Sequence, residues 1–130
     1  NEINAKQVQV VRTGDGRVWA DPQHLRQMLI NLLLNAVQSI DRQDGRVELR
    51  IAQEAGVCTL QVSDNGRGIA KEQWEKIFQP FFSNREKGLG LGLVMVKSLA
   101  GANNGSVRLL DSNAAGSRFE LTLPAAGKKE

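Results

Sequence analysis

Two asparagines, one aspartate and a run of alternating glycines are the residues in this chain best placed to do chemistry. Asn31 and Asn35 stand four apart, so on a helix they stack one turn above the other and present two amide carbonyl oxygens to the same space. A neutral oxygen donor suits Mg²⁺, which takes few protein ligands when phosphates and waters fill the rest of its octahedron. Taken alone, the spacing is also that of an ordinary solvated helix face, and that is the simpler reading of it. Asp64 opens the stretch Asp64-Asn65-Gly66-Arg67-Gly68-Ile69, whose glycines let backbone approach a flat ligand while the carboxylate accepts from an exocyclic amine such as that of adenine. Asp-Asn-Gly by itself is more often a tight turn. Gly88-Leu89-Gly90-Leu91-Gly92-Leu93 leads straight into helix-forming sequence, so unblocked N–H groups and the positive end of a helix dipole face an anion there. Its spacing is neither G-x-G-x-x-G nor a P-loop, and no H-R-D or D-F-G signature occurs.

These residues need elements to hold them. Asp21-Pro22 offers an N-cap followed by proline at the first helical position, and apolar residues at 25, 28, 29, 32, 33, 36, 37 and 40 predict one long helix to about residue 40. Its apolar side chains cover most of the circumference, which predicts a mostly buried helix with a narrow polar sector of His24, Asn31, Asn35 and Gln38. Strand-forming runs at 8–11 and 17–20, joined by Thr13-Gly14-Asp15-Gly16, read as a hairpin. A second hairpin is expected from 46–52 and 57–63 around Glu54-Ala55-Gly56, and a closing pair from 107–110 and 118–123. Short helices are expected over 71–77 and 91–101 with a loop between them, and a frayed tail over 125–130. Hairpins interleaved with helices rule out an all-parallel sheet and predict an α+β two-layer sandwich with the helices on one face.

At 130 residues the chain is the size of one domain, and 41% hydrophobic with 24% charged residues is the balance of a globular protein. The net charge of +3 raises a nucleic-acid partner, but the basic residues are scattered and only 5% of residues are aromatic, so neither a basic stripe nor a stacking surface is expected. Cys58 is the single cysteine and lies in an apolar run, which excludes an internal disulfide and predicts burial. No apolar stretch approaches the ~20 residues of a spanning helix and no signal peptide opens the chain, so a cytoplasmic domain without membrane contact is expected. Without an initiator methionine the chain reads as part of a longer one.

Taken in order, the stretches Asn31 to Ala36, Asp64 to Ile69, Phe78-Gln79-Pro80-Phe81-Phe82, Gly88 to Leu93 and Gly116-Ser117-Arg118-Phe119 resemble the N, G1, F, G2 and terminal glycine boxes of sensor histidine kinase catalytic domains. The resemblance spans residues 21–124 and extends to the wider Bergerat-fold ATPases, a group that includes DNA gyrase, a mismatch-repair protein and a heat-shock chaperone. It implies the Bergerat fold, a mixed and mostly antiparallel sheet with about three helices on one face. It also implies the ligands ATP and Mg²⁺. Asn35 would ligate the metal, with Asn31 supporting metal and phosphates and Gln38 beside the phosphates. Asp64 would read the adenine amino group, aided through water by Ser117, while Gly66, Gly68 and Ile69 shape the base pocket. Phe82 would anchor a lid in which Arg85 and Lys87 steady the phosphates, and Gly88, Leu89, Gly90, Leu91 and Gly92 would wrap them. Asn31, Arg85 and Lys87 would thus be the catalytic set.

Three departures stand out. Leu89 occupies a place where the family commonly has Thr or Ser, Gln38 one where many members carry Lys, and the stretch between Phe82 and Gly88 is short, as in the compact lids of nitrogen-regulator-type kinases. Hydrolysing relatives carry Glu where this chain has Asn31, which cannot take up a proton at neutral pH, so hydrolysis is disfavoured. His24, the one histidine, lies two turns before Asn31 and outside any phosphorylation motif of the family, so the acceptor is expected on a separate dimerisation domain of the same parent protein. A response regulator would be served indirectly, and the isolated chain is expected to be a monomer. A nucleotide-binding regulatory module without transfer activity, a Bergerat-type ATPase and a purely structural interaction domain remain as alternatives.

Overall fold

The computed structural model describes residues 8–80 and 92–126. Five strands form one sheet: β1 (Val8–Gly14), β2 (Gly45–Glu54), β3 (Val57–Asp64), β4 (Ser106–Asn113) and β5 (Gly116–Pro124), in spatial order β1-β2-β3-β5-β4. Only β1 and β2 are parallel. Two α-helices, α1 (Pro22–Gln38) and α2 (Gly92–Ala102), accompany the sheet, and a 3-10 turn covers Lys71–Gln73. The α+β sandwich with a mixed, mostly antiparallel sheet is therefore the fold, with two α-helices and a 3-10 turn among the described residues where about three helices were expected.

Strand alternation builds the layer boundary. Cys58, Leu60, Val62 and Asp64 are buried on β3, and their register partners Leu123, Leu121, Phe119 and Ser117 are buried on β5. Against this face α1 lays Met28, Leu32 and Ala36, four residues apart, and α2 lays Val96 and Ala100. The opposite face carries a polar row in which Arg50, Gln61, Glu120 and Arg108 lie side by side across four strands. Arg108 donates to Glu120 at 3.0 Å, and Gln61 donates to the same carboxylate at 3.0 Å.

Several expectations are corrected. The runs at 8–11 and 17–20 do not form a hairpin: β1 pairs along its whole length with β2, joined through α1 as a crossover, and Val18 makes an isolated bridge to Ala125 instead. A period-2 pattern says that a strand exists but not which partner it takes. The helix expected over 71–77 is a 3-10 turn of three residues. The tail is held as far as Ala126, whose N–H donates to Arg17 O, while Ala125 N–H donates to Gly56 O. Helix α1 is less enclosed than its composition implies, since Ile30 and Leu34 stay 43% and 51% exposed on the side away from the sheet. No helix among the described residues is long and apolar enough to cross a membrane.

Candidate nucleotide site

The polar sector of α1 lies along the seam with α2, and the two helices run antiparallel there. His24 Nδ1 meets Asn103 Nδ2 at 3.0 Å beyond the C-terminal end of α2, and Asn31 Nδ2 donates to Met95 Sδ at 3.4 Å near its start. The carbonyl of Asn31 faces Gly92, where an added Cβ would stand 3.9 Å from Oδ1. Asn35 lies one turn further along the same side of α1. Asn31 and Asn35 are half-buried and Gln38, at the last position of α1, is exposed.

The 64–69 loop docks on this end of α1. Ser39, the C-cap of α1, is buried; its N–H donates to Asn35 O at 3.1 Å and its carbonyl accepts from Arg67 N–H at 3.1 Å. Gly66 passes so close that a Cβ would collide with Ser39 O and Oγ, which is why a glycine stands there. Asp64 and Asn65 have separate tasks. Asn65 ties the loop to the start of β2, accepting from Arg46 N–H at 2.8 Å and donating to Asp44 O at 2.9 Å. Asp64 is 8% exposed at the end of β3, where its Oδ1 accepts from Gly66 N–H at 2.8 Å.

Register then brings Asp64 and Ser117 together. Asp64 lies directly opposite Ser117, so the two buried side chains share the helix-facing side of the sheet. Gly116, at φ +135°, lets β5 run so close to β3 that a Cβ would collide with Asp64 O. Gly68, at φ +82°, passes Asn113 O with the same intimacy. Ile69 is pinned at both backbone groups, its N–H donating to Ser112 Oγ at 2.6 Å and its carbonyl accepting from Trp74 Nε1 at 2.9 Å. Phe78 packs edge-on against buried Phe119, ring centroids 6.2 Å apart, and braces the stretch that follows the loop.

Among the described residues, Asn31, Asn35 and Gln38 lie on the C-terminal half of α1, Gly92 faces Asn31, Gly66 packs on Ser39, and Asp64, Gly68, Ile69 and Ser117 meet where the 64–69 loop crosses the ends of β3, β4 and β5. Phe82, Arg85, Lys87, Gly88, Leu89, Gly90 and Leu91 lie outside the described residues. Ser112 and Trp74, which hold the backbone of Ile69, are not announced by the sequence. A β-bulge between Leu109 and Asp111, which the sequence does not announce, turns Ser112 onto the inner face. Two open depressions of about 350 and 360 Å³ lie elsewhere, lined by residues such as Gln53 and Ala126 in one and Gln9 and Asp44 in the other. Neither borders Asn35 or Asp64, and geometry and chemistry favour the α1 site over both.

Known proteins were compared with this geometry. Residues 20–127 match the model of the family described as histidine kinase-, DNA gyrase B-, and HSP90-like ATPase. Sensor histidine kinase ZraS of Escherichia coli O157:H7 is 34% identical over 126 residues, covering 95% of this chain and 27% of that protein. The C4-dicarboxylate transport sensor protein DctB of Rhizobium meliloti is 41% identical over 103 residues, 78% of this chain and 16% of its own length. This chain therefore spans about a quarter or less of these relatives. Among solved structures, the mycobacterial sensor histidine kinase MprB superposes with a TM-score of 0.81 at 26% identity, over 91% of this chain and 84% of that one. Full-length ShkA in complex with AMPPNP superposes with a TM-score of 0.80 at 27% identity, over 99% of this chain and 27% of that one. The chain belongs to the histidine kinase-, DNA gyrase B- and HSP90-like ATPase family, as an ATP-binding domain of the sensor histidine kinase type.

Proposed function

We propose that this chain binds Mg-ATP between the C-terminal half of α1 and the 64–69 loop and donates the γ-phosphate to a histidine on a separate dimerisation domain of the same parent protein. The observation that carries the proposal is the juxtaposition of buried Asp64 with Ser117 beneath a glycine loop docked on the C-cap of the asparagine-bearing helix. A carboxylate accepts more than one hydrogen bond, so beside the Gly66 N–H Asp64 can also accept from an adenine amino group. The amide oxygens of Asn35 and Asn31 suit Mg²⁺, which when bound neutralises phosphate charge. Gly92 at the N-terminus of α2 brings helix-dipole and N–H donors toward the phosphates, with Gln38 alongside. Arg85 and Lys87 would add positive charge.

Phosphoryl transfer asks mainly for positioning and charge neutralisation. The acceptor imidazole nitrogen attacks the γ-phosphorus with its lone pair, the bond to the β–γ bridging oxygen breaks, and ADP departs with that electron pair. No side-chain base is needed for this. Asn31 holds Met95 with its amide and cannot accept a proton, which favours transfer over hydrolysis. The phosphohistidine would then supply a response regulator.

A titration with a fluorescent ATP analogue, with and without Mg²⁺, tests the binding half. Asn35→Ala is expected to remove the Mg²⁺-dependent part of the affinity and Asp64→Asn to weaken binding of the base. Radiolabel transfer from ATP to a matched dimerisation domain tests the second half: tight binding without transfer reduces the chain to a regulatory nucleotide module, and no binding leaves a structural domain.

A further inference from the structure

Ser112 is given no role by the box pattern, yet it joins the two parts of the base pocket. Its Oγ accepts from Ile69 N–H at 2.6 Å and lies 2.7 Å from Ser117 Oγ. The strand places it there by a local irregularity. Val107 and Leu109 pair with Leu121 and Phe119 on the inner face, so unbroken alternation would bring Asp111 opposite Ser117. The bulge adds one residue. Asp111 is shifted opposite Arg118, which donates to it at 2.8 Å on the outer side, and Ser112 takes the place beside Ser117.

We propose that Ser112 is a positioning residue that fixes the polarity of the Ser117 hydroxyl and thereby makes the pocket select a 6-aminopurine over a 6-oxopurine. A hydroxyl has one proton and two lone pairs. One lone pair of Ser112 is taken by the Ile69 amide; either hydroxyl can donate across the 2.7 Å contact with Ser117 Oγ, and the proposed polarity assigns that proton to Ser112. Ser117, already an acceptor, then turns its own proton into the pocket. Asp64 beside it accepts. The wall therefore presents an acceptor next to a donor. Adenine matches it with the N6 amino group toward Asp64 and N1 toward Ser117, directly or across one water. Guanine reverses both polarities, with an acceptor at O6 and a donor at N1, and so sets acceptor against acceptor and donor against donor. The inference rests on the ATP-site reading above and deepens it.

The test measures affinities for Mg-ATP, Mg-GTP and the magnesium complex of 1-deaza-ATP, which lacks the N1 acceptor, by displacement of the fluorescent analogue. The wild-type chain is expected to prefer ATP over 1-deaza-ATP by roughly tenfold, the worth of one well-made hydrogen bond in a dry site. Ser112→Ala should bring that ratio to within about twofold and narrow the ATP-to-GTP preference, Ser112→Thr should restore both, and Ser112→Ala with Ser117→Ala should do no more than Ser117→Ala alone. Thermal unfolding is followed in parallel. If Ser112→Ala does not fold, Ser112→Cys keeps the volume with a poor donor and reads the same ratio. A variant that loses stability while keeping the wild-type base ratios would overturn the proposal and leave Ser112 as a tie for the loop. A wild-type chain that binds no ATP would instead sink the underlying site, which is a different and separately visible failure.

Discussion

At the scale of single residues, the site depends on backbones brought closer than side chains allow. Gly116 is the sharpest case, because at φ +135° any side chain is strained and a Cβ there would drive into the carbonyl of Asp64. Gly116→Ala is expected to cost about 2–3 kcal/mol of stability and to displace Asp64 from Ser117, so that ATP affinity falls further than the loss of folded protein explains. Gly101 is the matched control. It lies within α2 with nothing within 4 Å of an added Cβ, so Gly101→Ala should raise stability by roughly 0.5–1 kcal/mol and leave nucleotide binding unchanged. Urea unfolding and analogue titration on the two variants check both signs. These two glycines cannot be told apart by residue type, since one is needed for its dihedral angle and the other is a weak point in a helix. Asp64 could be singled out from its place before a glycine loop, whereas its partnership with Ser117 depends on a register 53 residues away in sequence.

At the scale of elements, α1 carries Asn31 and Asn35 and is fixed at both ends by polar contacts rather than by packing alone. Asp21 accepts from Gln23 N–H at 2.8 Å and from His24 N–H at 3.1 Å, and Pro22 sets the first turn. Asn103 reaches the same corner, accepting from Asp21 N–H at 2.9 Å while donating to Leu99 O at 2.7 Å, so the start of α1 and the end of α2 share one amide. The His24 and Gln23 N–H groups hold the Asp21 carboxyl below its ordinary pKa. A depressed carboxylate pKa contributes stability that is present above the unfolded-state value and is lost as pH falls through the folded value. The gap in urea midpoint between wild type and Asp21→Ala should therefore be open at pH 7 and close below about pH 4; a gap independent of pH would mean that the charged cap contributes nothing. The helix and this cap were legible from Asp21-Pro22 and the apolar period, and so were the β2–β3 and β4–β5 pairs, because each depends on neighbours in sequence. The partner of β1 and the bulge that presents Ser112 depend on long-range pairing and left no local mark.

At the scale of the whole molecule, β3 connects two ends with opposite duties. Asp64 closes one end, at the proposed nucleotide pocket, and Cys58, six residues back on the same inner face, lies at the other beneath Gly16 and beside Leu123, roughly 20 Å away. Cys58 is 1% exposed, and burial pushes its thiol pKa up, so the native chain offers almost no thiolate to a reagent. Labelling can then proceed only through molecules that have opened. If that opening is global unfolding, a ligand bound only by the folded state slows labelling at a site it never touches, by the factor through which it shifts the folding equilibrium. Mg-ATP at a hundredfold excess over its dissociation constant should slow modification of Cys58 roughly a hundredfold under conditions where refolding outruns the reagent. Asn35→Ala should abolish the slowing at the same nucleotide concentration. Labelling that ignores Mg-ATP while the analogue titration shows binding would mean that the 14–18 segment lifts off Cys58 on its own. The two ends of the sheet would then be separate cooperative units, and stability at the pocket could not be read from the opposite end of β3.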